Sequence, residues 1–282
     1  MFYTNSNPQG NINVYSVNPT WWGVNAISGT PAYTYGSWVK LSNGYNYDIN
    51  FANIMIGGVW TSGGIRTGFI DIAYGPDENN LNIIIPYLNI CKSGGTLRSP
   101  LQYLLPMYVP KNTPIWARHA NAYGGLNCAI YISTNIGLMY PYAPQVLYYE
   151  PLGVENLGLS NCTGISVPNP STNDRGLWVE MTASTTKNYI GLMMCGPITD
   201  SNNIPGYGTL ITGDIGIGPV GQETLIYPFA IQAVVTSDEA TNGYSIPEFI
   251  SIPKNTRVVA RISSYASCDV PCSVIVYGLV GV

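Results

Sequence analysis

The feature that most constrains this chain is a repeat. Val109-Pro110-Lys111-Asn112-Thr113-Pro114-Ile115-Trp116-Ala117-Arg118 returns as Ile252-Pro253-Lys254-Asn255-Thr256-Arg257-Val258-Val259-Ala260-Arg261, every position displaced by 143 residues. Further matches follow in the same order at nearly the same displacement. Gly36-Ser37-Trp38-Val39 answers Gly176-Leu177-Trp178-Val179, and Asp71-Ile72 with Gly75-Pro76 answers Asp214-Ile215 with Gly218-Pro219. Ile84-Ile85-Pro86-Tyr87 answers Leu225-Ile226-Tyr227-Pro228-Phe229 more loosely. Self-similarity kept in order over half a chain is the mark of a duplicated unit. It divides the 282 residues into an N-terminal arm (1–30), a first module (31–140), a linker rich in Pro, Asn, Gly and Ser (141–172) and a second module (173–282). Each module is close to the common domain size of about 100–150 residues.

Within the second module, eight short apolar or alternating runs read as strands: Leu177–Thr182, Asn188–Met194, Thr209–Gly216, Glu223–Tyr227, Ile231–Thr236, Glu248–Ile252, Arg257–Ser263 and Ser273–Leu279. Turn residues bound them, and no segment sustains an apolar period near 3.6, so helices should be few and short. The 22 Tyr, 6 Trp, 31 Gly and 21 Pro agree, because aromatics suit a pleated surface and Gly and Pro suit tight turns. The expected fold is all-β: two tandem jelly-roll-like β-barrels or sandwiches related by internal duplication. Alternation along the repeated strand puts Val258 and Ala260 on one face, and Val259 with Arg257 and Arg261 on the other.

Only 9% of residues are charged, against about 25% in an ordinary soluble domain, so a charge that recurs in both halves stands out. Asp71 and Asp214 recur, as do Arg118 and Arg261. The simplest expectation is one structural ion pair per module, Asp71–Arg118 and Asp214–Arg261. A ligand or calcium site using the aspartates is the alternative. Asn112 and Asn255 occupy a turn, where asparagine tolerates positive φ better than most residues.

Gly213-Asp214-Ile215-Gly216-Ile217-Gly218-Pro219-Val220-Gly221-Gln222-Glu223, followed by Ile252-Pro253-Lys254-Asn255-Thr256-Arg257-Val258-Val259-Ala260-Arg261-Ile262, resembles structural proteins of tailed bacteriophages, especially aquatic ones. In those proteins a similar Gly-Asp-Ile-Gly turn and a Pro-x-Gly-Thr-Arg-Ile-Ala-x-Arg strand recur. The resemblance is good over the second module and partial over the first. There Phe69-Ile70-Asp71-Ile72 lacks the glycine before aspartate, and Pro114 replaces the first arginine. The resemblance implies a place in a virion and no particular chemistry.

The residues themselves offer little reactive machinery. His119 is the single histidine, follows the repeated Arg118, and has Ile262 as its counterpart, which reads as a strand or loop residue rather than a base. The carboxylates are scattered, and the glycine-rich runs lack a following Gly-Lys-Ser/Thr, so neither a glycosidase pair nor a phosphate loop is expected. Six cysteines (Cys91, Cys128, Cys162, Cys195, Cys268, Cys272) contain no Cys-x-x-Cys pair, which argues against zinc. Cys268 and Cys272 are spaced to close a hairpin disulfide in a particle that matures outside the cell; buried or loop thiols are the plainer reading. No enzyme, metal or cofactor is expected. A formal charge of −4 without a basic run argues against nucleic acid as a partner. No apolar stretch reaches about 18 residues and residues 1–6 do not resemble a leader, so neither a membrane span nor a secretion signal is expected.

Trp21 and Trp22 in the arm, with Tyr140, Tyr142, Tyr148 and Tyr149 in and beside the linker, are expected to lie outside the barrels. There they would serve inter-subunit contacts or, as the alternative, a host surface glycan. The expected function is that of a capsid-associated component of decoration or cement type. It would be assembled in the host cytoplasm, bound to copies of itself as a trimer and to other virion proteins. A shell-forming tandem jelly-roll subunit and a glycan-binding adhesin are the alternatives.

Overall fold

The computed structural model describes residues 12–14, 24–31, 33–57, 66–92, 101–121, 127–135, 145–153, 165–168, 175–198, 209–233, 247–264 and 272–282. These residues form strands and no helix. In the first half lie β1 (Ile12–Val14), β2 (Val24–Ile27), β3 (Val39–Ser42), β4 (Ile49–Gly57), β5 (Arg66–Tyr74), β6 (Asn82–Lys92), β7 (Leu101–Val109), β8 (Ile115–Asn121) and β9 (Asn127–Asn135). In the second lie β10 (Val146–Leu152), β11 (Ile165–Val167), β12 (Val179–Thr182), β13 (Gly191–Ile198), β14 (Thr209–Ile217), β15 (Thr224–Ala233), β16 (Val258–Ser264) and β17 (Cys272–Gly281).

Each half is a double sheet with one strand order. In the first, β9 is flanked on one side by β1 and β2, laid end to end along it, and on the other by β4 and then β7; the facing sheet runs β3-β8-β5-β6. In the second, β17 carries β10 and β11 end to end on one side and β13 on the other; the facing sheet runs β12-β16-β14-β15. The remaining position is filled by residues 248–252, which bridge antiparallel at Tyr189–Ile252 and Leu192–Glu248. If the end-to-end pair counts as the first strand, both halves read first–eighth–third–sixth in one sheet and second–seventh–fourth–fifth in the other. That order is a jelly roll, and the chain contains two in tandem.

The strand expectations need three corrections. The two strands expected at Glu223–Tyr227 and Ile231–Thr236 are not separate: Thr224–Ala233 is one continuous strand, β15, which runs through Pro228 on the sheet edge. There a missing N–H removes no ladder bond. The arm (1–30) contributes β1 and β2 to the first module's sheet, so it does not lie wholly outside the barrel. The linker (141–172) likewise contributes β10 and β11 to the second module's sheet. β1, β2 and β11 are too short to show an alternation of their own, and β10, though seven residues long, is buried at every third residue and not at every second.

Two cores follow from the pleat. In the first module Ile54, Ile56, Ile130 and Ile132 of one sheet face Ile70, Ile72, Ile115 and Ala117 of the other. In the second, Leu192, Met194, Val274 and Val276 face Ile215, Val258, Ala260 and Ile262. The sheet of β10, β13 and β17 is buried on both faces. Met193, Cys195, Ile275, Tyr277 and Leu279, on its other side, belong to the first module's core cluster. That is why β17 reads as an almost unbroken apolar run instead of alternating. Two phenols fasten the junction: Tyr149 Oη donates to the Pro106 carbonyl on β7 at 2.7 Å, and Tyr277 Oη donates to the Tyr87 carbonyl on β6 at 2.7 Å. Both acceptors sit on edge strands, which would otherwise offer open carbonyls to other chains.

Candidate functional site: the repeated aspartate–arginine–tryptophan clusters

The repeated residues converge at one place in each module, on the outer face of the β3-β8-β5-β6 sheet and of its counterpart. In-register pairing puts Asp71 of β5 opposite Arg118 of β8, and Asp214 of β14 opposite Arg261 of β16. The structure brings both pairs together. Arg118 donates from Nε at 2.8 Å and approaches from Nη2 at 2.6 Å, both to Asp71 Oδ2. Arg261 Nε donates to Asp214 Oδ2 at 2.8 Å. Both aspartates are almost wholly buried, whereas the arginine side chains stay about one quarter exposed (28% and 27%). A carboxylate removed from water in this way needs its charge paired and its oxygens occupied.

The repeated tryptophans cover the arginines. The Arg118 guanidinium lies 4.6 Å from the Trp38 ring centroid and 4.2 Å from that of Tyr35. The Arg261 guanidinium lies 4.1 Å from the Trp178 ring centroid. The Gly-x-Trp-Val motif fixes each tryptophan in place, because Gly36 N–H donates to the His119 carbonyl and Gly176 N–H to the Ile262 carbonyl, each at 3.0 Å.

The modules complete the aspartate differently, and sequence reasoning missed both solutions. In the first, Asp71 Oδ1 accepts from Tyr35 Oη and from the Tyr87 N–H, each at 2.8 Å. The second bond needs a bulge: β6 gains a residue opposite β5 between the Ile70–Leu88 and Ile72–Ile85 pairs, and Tyr87 takes φ 57° to aim its N–H inward. In the second, Arg175 stands where Tyr35 stands, three residues before the repeated tryptophan, and its Nε lies 3.2 Å from Asp214 Oδ2. The signal was that shared spacing; comparing the halves for identical residues discards it. Burial and the neighbouring Asp71 carboxylate push the Tyr35 phenol far above its ordinary value, so it remains a neutral donor.

The repeated Pro-Lys-Asn-Thr turn is also built alike twice. Lys111 N–H donates to Asp48 Oδ1 and Lys254 N–H to Asn188 Oδ1, both at 2.7 Å. Asn112 and Asn255 adopt φ 59° and 66°, as their position in a turn anticipated. These contacts tie the turn to the segment that leads into β4 or β13.

Chemically the clusters are closed. Both Asp71 oxygens are filled by donors of the chain itself, and the aspartates join strands to each other and to the loop ahead of β3 or β12. Among the described residues no group of three or more His, Cys, Asp or Glu is placed to hold a metal ion. No helix of the described residues is long and apolar enough to cross a membrane. His119 is buried within β8, and Cys128 and Cys195 are buried and form no disulfide. Whether Cys268 and Cys272 pair lies outside the described residues, because Cys268 does. So do Trp21, Trp22, Tyr140 and Tyr142.

The expectation that Tyr148 and Tyr149 lie outside the barrels does not hold. Both sit in β10: Tyr149 is wholly buried at the module junction, packed edge-on against Tyr277, and Tyr148 is half-buried beneath Lys187 Nζ, 4.8 Å from its ring centroid. A tyrosine in a tight junction buries its ring and satisfies its hydroxyl on a carbonyl, which a linker reading overlooks.

No family model matches the chain, and no curated protein matches it. Among solved structures it is similar to the N-terminal CBM22-1-CBM22-2 tandem domain of Paenibacillus barcinonensis Xyn10C, with 9% identity over 98% of this chain and 92% of that one and a TM-score of 0.27. It is also similar to tripeptidyl peptidase 2 (6% identity, 98% of this chain and 24% of that one, TM-score 0.27). A third is the CUB1-EGF-CUB2 domain of human MASP-1/3 (11% identity, 87% and 99%, TM-score 0.15). The fold assigned above rests on the strand orders and not on these likenesses.

Proposed function

We propose that this chain is a structural component of a virus particle, acting through the contacts it makes and not through a reaction. The observation that carries this reading is the junction: two complete jelly rolls are joined into one block by a sheet buried on both faces. The closed clusters support it, since their polar groups are spent on holding strands together. So does the low charge, because neighbouring subunits can cover surface that charge would otherwise keep in water. In this reading the chain is a decoration or cement component, assembled in the host cytoplasm, with copies of itself, as a trimer, and other virion proteins as partners.

A second role within the same class, the shell-forming subunit, is favoured by the presence of two full eight-stranded modules in one chain. Antibody labelling of intact particles under the electron microscope tests the common premise: label on the particle surface is expected, and label confined to soluble material overturns it. Expression of the chain alone separates the two roles, closed shells marking the shell-forming subunit and their absence the decoration component.

A further inference from the structure

The junction within the chain has two sides, and each has a counterpart elsewhere on the same molecule. One side is the edge of the first module, β6 and β7, where Ile84, Ile85, Leu105, Pro106 and Met107 are buried. The other is the outer face of the second module's β10-β17-β13 sheet, with Met193, Cys195, Ile275 and Tyr277.

Strand pairing fixes the counterparts. Ile49 pairs with Val109 and Ala52 with Leu105, as Tyr189 bridges Ile252 and Leu192 bridges Glu248. Pro106 and Met107 therefore correspond to Phe249 and Ile250. Aligning Pro86 with Pro228 makes Ile84 and Ile85 correspond to Ile226 and Tyr227. Likewise Met55 pairs with Tyr131 as Cys195 pairs with Ile275, so Met55 and Tyr131 stand on the first module's sheet where Cys195 and Ile275 stand on the second.

These counterparts are not covered as the originals are. Phe249 is 37% exposed where Pro106 is buried, and Ile226, Tyr227 and Ile250 are half-buried where Ile84, Ile85 and Met107 are wholly so. Met55 and Tyr131 are half-buried where Cys195 and Ile275 are wholly so. The molecule thus carries one used copy of this contact and both halves of an unused one. Within the chain these two halves do not meet, and both keep the exposure just given.

We propose that copies of the chain join head to tail through this second contact. The edge of one copy's second module, at Ile226, Phe249 and Ile250, seats against the outer face of the next copy's first module, at Met55 and Tyr131. Ser133 stands where Tyr277 supplies its phenol, so the contact between copies is weaker than the one within a chain and depends on concentration. Contacts between unlike surfaces close into rings or extend into filaments, according to the rotation they impose. The inference supplies the surfaces for the self-partner proposed above but stands on the junction alone. A chain that self-associates yet never enters a particle keeps it, and a particle component that stays monomeric overturns it.

Sedimentation velocity on the full chain, across a range of concentrations, is the test. The unaltered protein is expected to associate as concentration rises, and Phe249→Asp and Met55→Lys are each expected to be monomeric. Mixed together, these two variants should form a one-to-one dimer that grows no further, because each supplies the surface the other lacks. A wild-type monomer at every concentration, association that survives both substitutions, or a mixture that stays monomeric overturns the proposal. So does association lost in Phe249→Asp but kept in Met55→Lys, which marks pairing of edge to edge. Circular dichroism checks that the variants are folded. Should either charged variant unfold, Phe249→Ala and Met55→Ala should still weaken association several-fold, and unchanged association in both overturns the proposal.

Discussion

Asp71 and Asp214 occupy the same place in their modules, opposite an arginine that a tryptophan covers, yet different donors complete them. Asp71 has one cation, a phenol and a backbone N–H; Asp214 has two cations. The contrast extends one residue back along the strand. Ile70, wholly buried, precedes Asp71, whereas Gly213 precedes Asp214, and a Cβ there would come within 2.1 Å of the Phe229 ring. In the second module the aromatic of β15 lies over that glycine. In the first, the residue opposite Ile70 is Leu88, and Tyr87 belongs to a bulge whose N–H serves Asp71 and whose carbonyl accepts from Tyr277 at the junction. The modules therefore share what strand register dictates and differ where one must hold the other.

The largest test of this contrast is removal of the repeated arginine from each module. Arg118→Ala leaves Asp71 buried with no cation and should cost about 3–5 kcal/mol. Arg261→Ala leaves Arg175 beside Asp214 and should cost less, about 1.5–3 kcal/mol, the scale of a hydrogen bond to a charged group. Urea unfolding measures both, and equal losses would dissolve the distinction drawn here.

Next in size is the glycine. Gly213→Ala forces the Phe229 ring aside and should cost about 1–3 kcal/mol by overpacking. Combining it with Phe229→Leu should recover part of that loss, and a double variant no better than the single one would show that the ring is not the obstacle.

A third test uses pH. The Tyr35 phenol is raised above its ordinary value near 10, first by burial and then by Asp71, so its folded value exceeds its unfolded one. Its contribution is therefore complete below about pH 10 and is lost as the solution grows more alkaline. Tyr35→Phe should flatten that alkaline slope in denaturant midpoints taken between neutral pH and the onset of alkaline unfolding. The Asp214 cluster, with Arg175 in the same place, has no phenol to contribute. An unchanged slope would remove Tyr35 from the account.

The smallest test concerns what the modules share. Asn112→Ala and Asn255→Ala each place a less tolerant residue at positive φ and should cost about 1 kcal/mol apiece, to the same extent in both modules. A marked inequality between them would show that the two turns are not equivalent.

The repeat made a good deal of this legible. Because side chains alternate with period two, a motif kept at constant displacement keeps its face, so the core positions Val258 and Ala260 and the outward Arg261 could be read off directly. The aspartate and its arginine were legible for the same reason. Tyr35 and Arg175 were not, because they do the same work with different chemistry and look unrelated. Nor was the junction. A strand buried on both faces loses its alternation, and Cys272–Gly281, a strand running through Val274, Val276 and Val280 as well as Ile275, Tyr277 and Leu279, does not say which side meets which partner. The arm and linker were misread because three-residue strands such as Ile12–Val14 and Ile165–Val167 exist only through the longer strand they lean on.

The sheet that serves both cores has a consequence for ancestry. A freshly duplicated gene can usually revert by losing either copy, since each product stands by itself. Here a chain trimmed back to its first unit would turn Ile84, Ile85, Leu105 and Met107 towards water and strand the backbone oxygens of Tyr87 and Pro106. With the second unit as a wall of the first, loss of either copy uncovers a core, so deletion is not a neutral path for this chain.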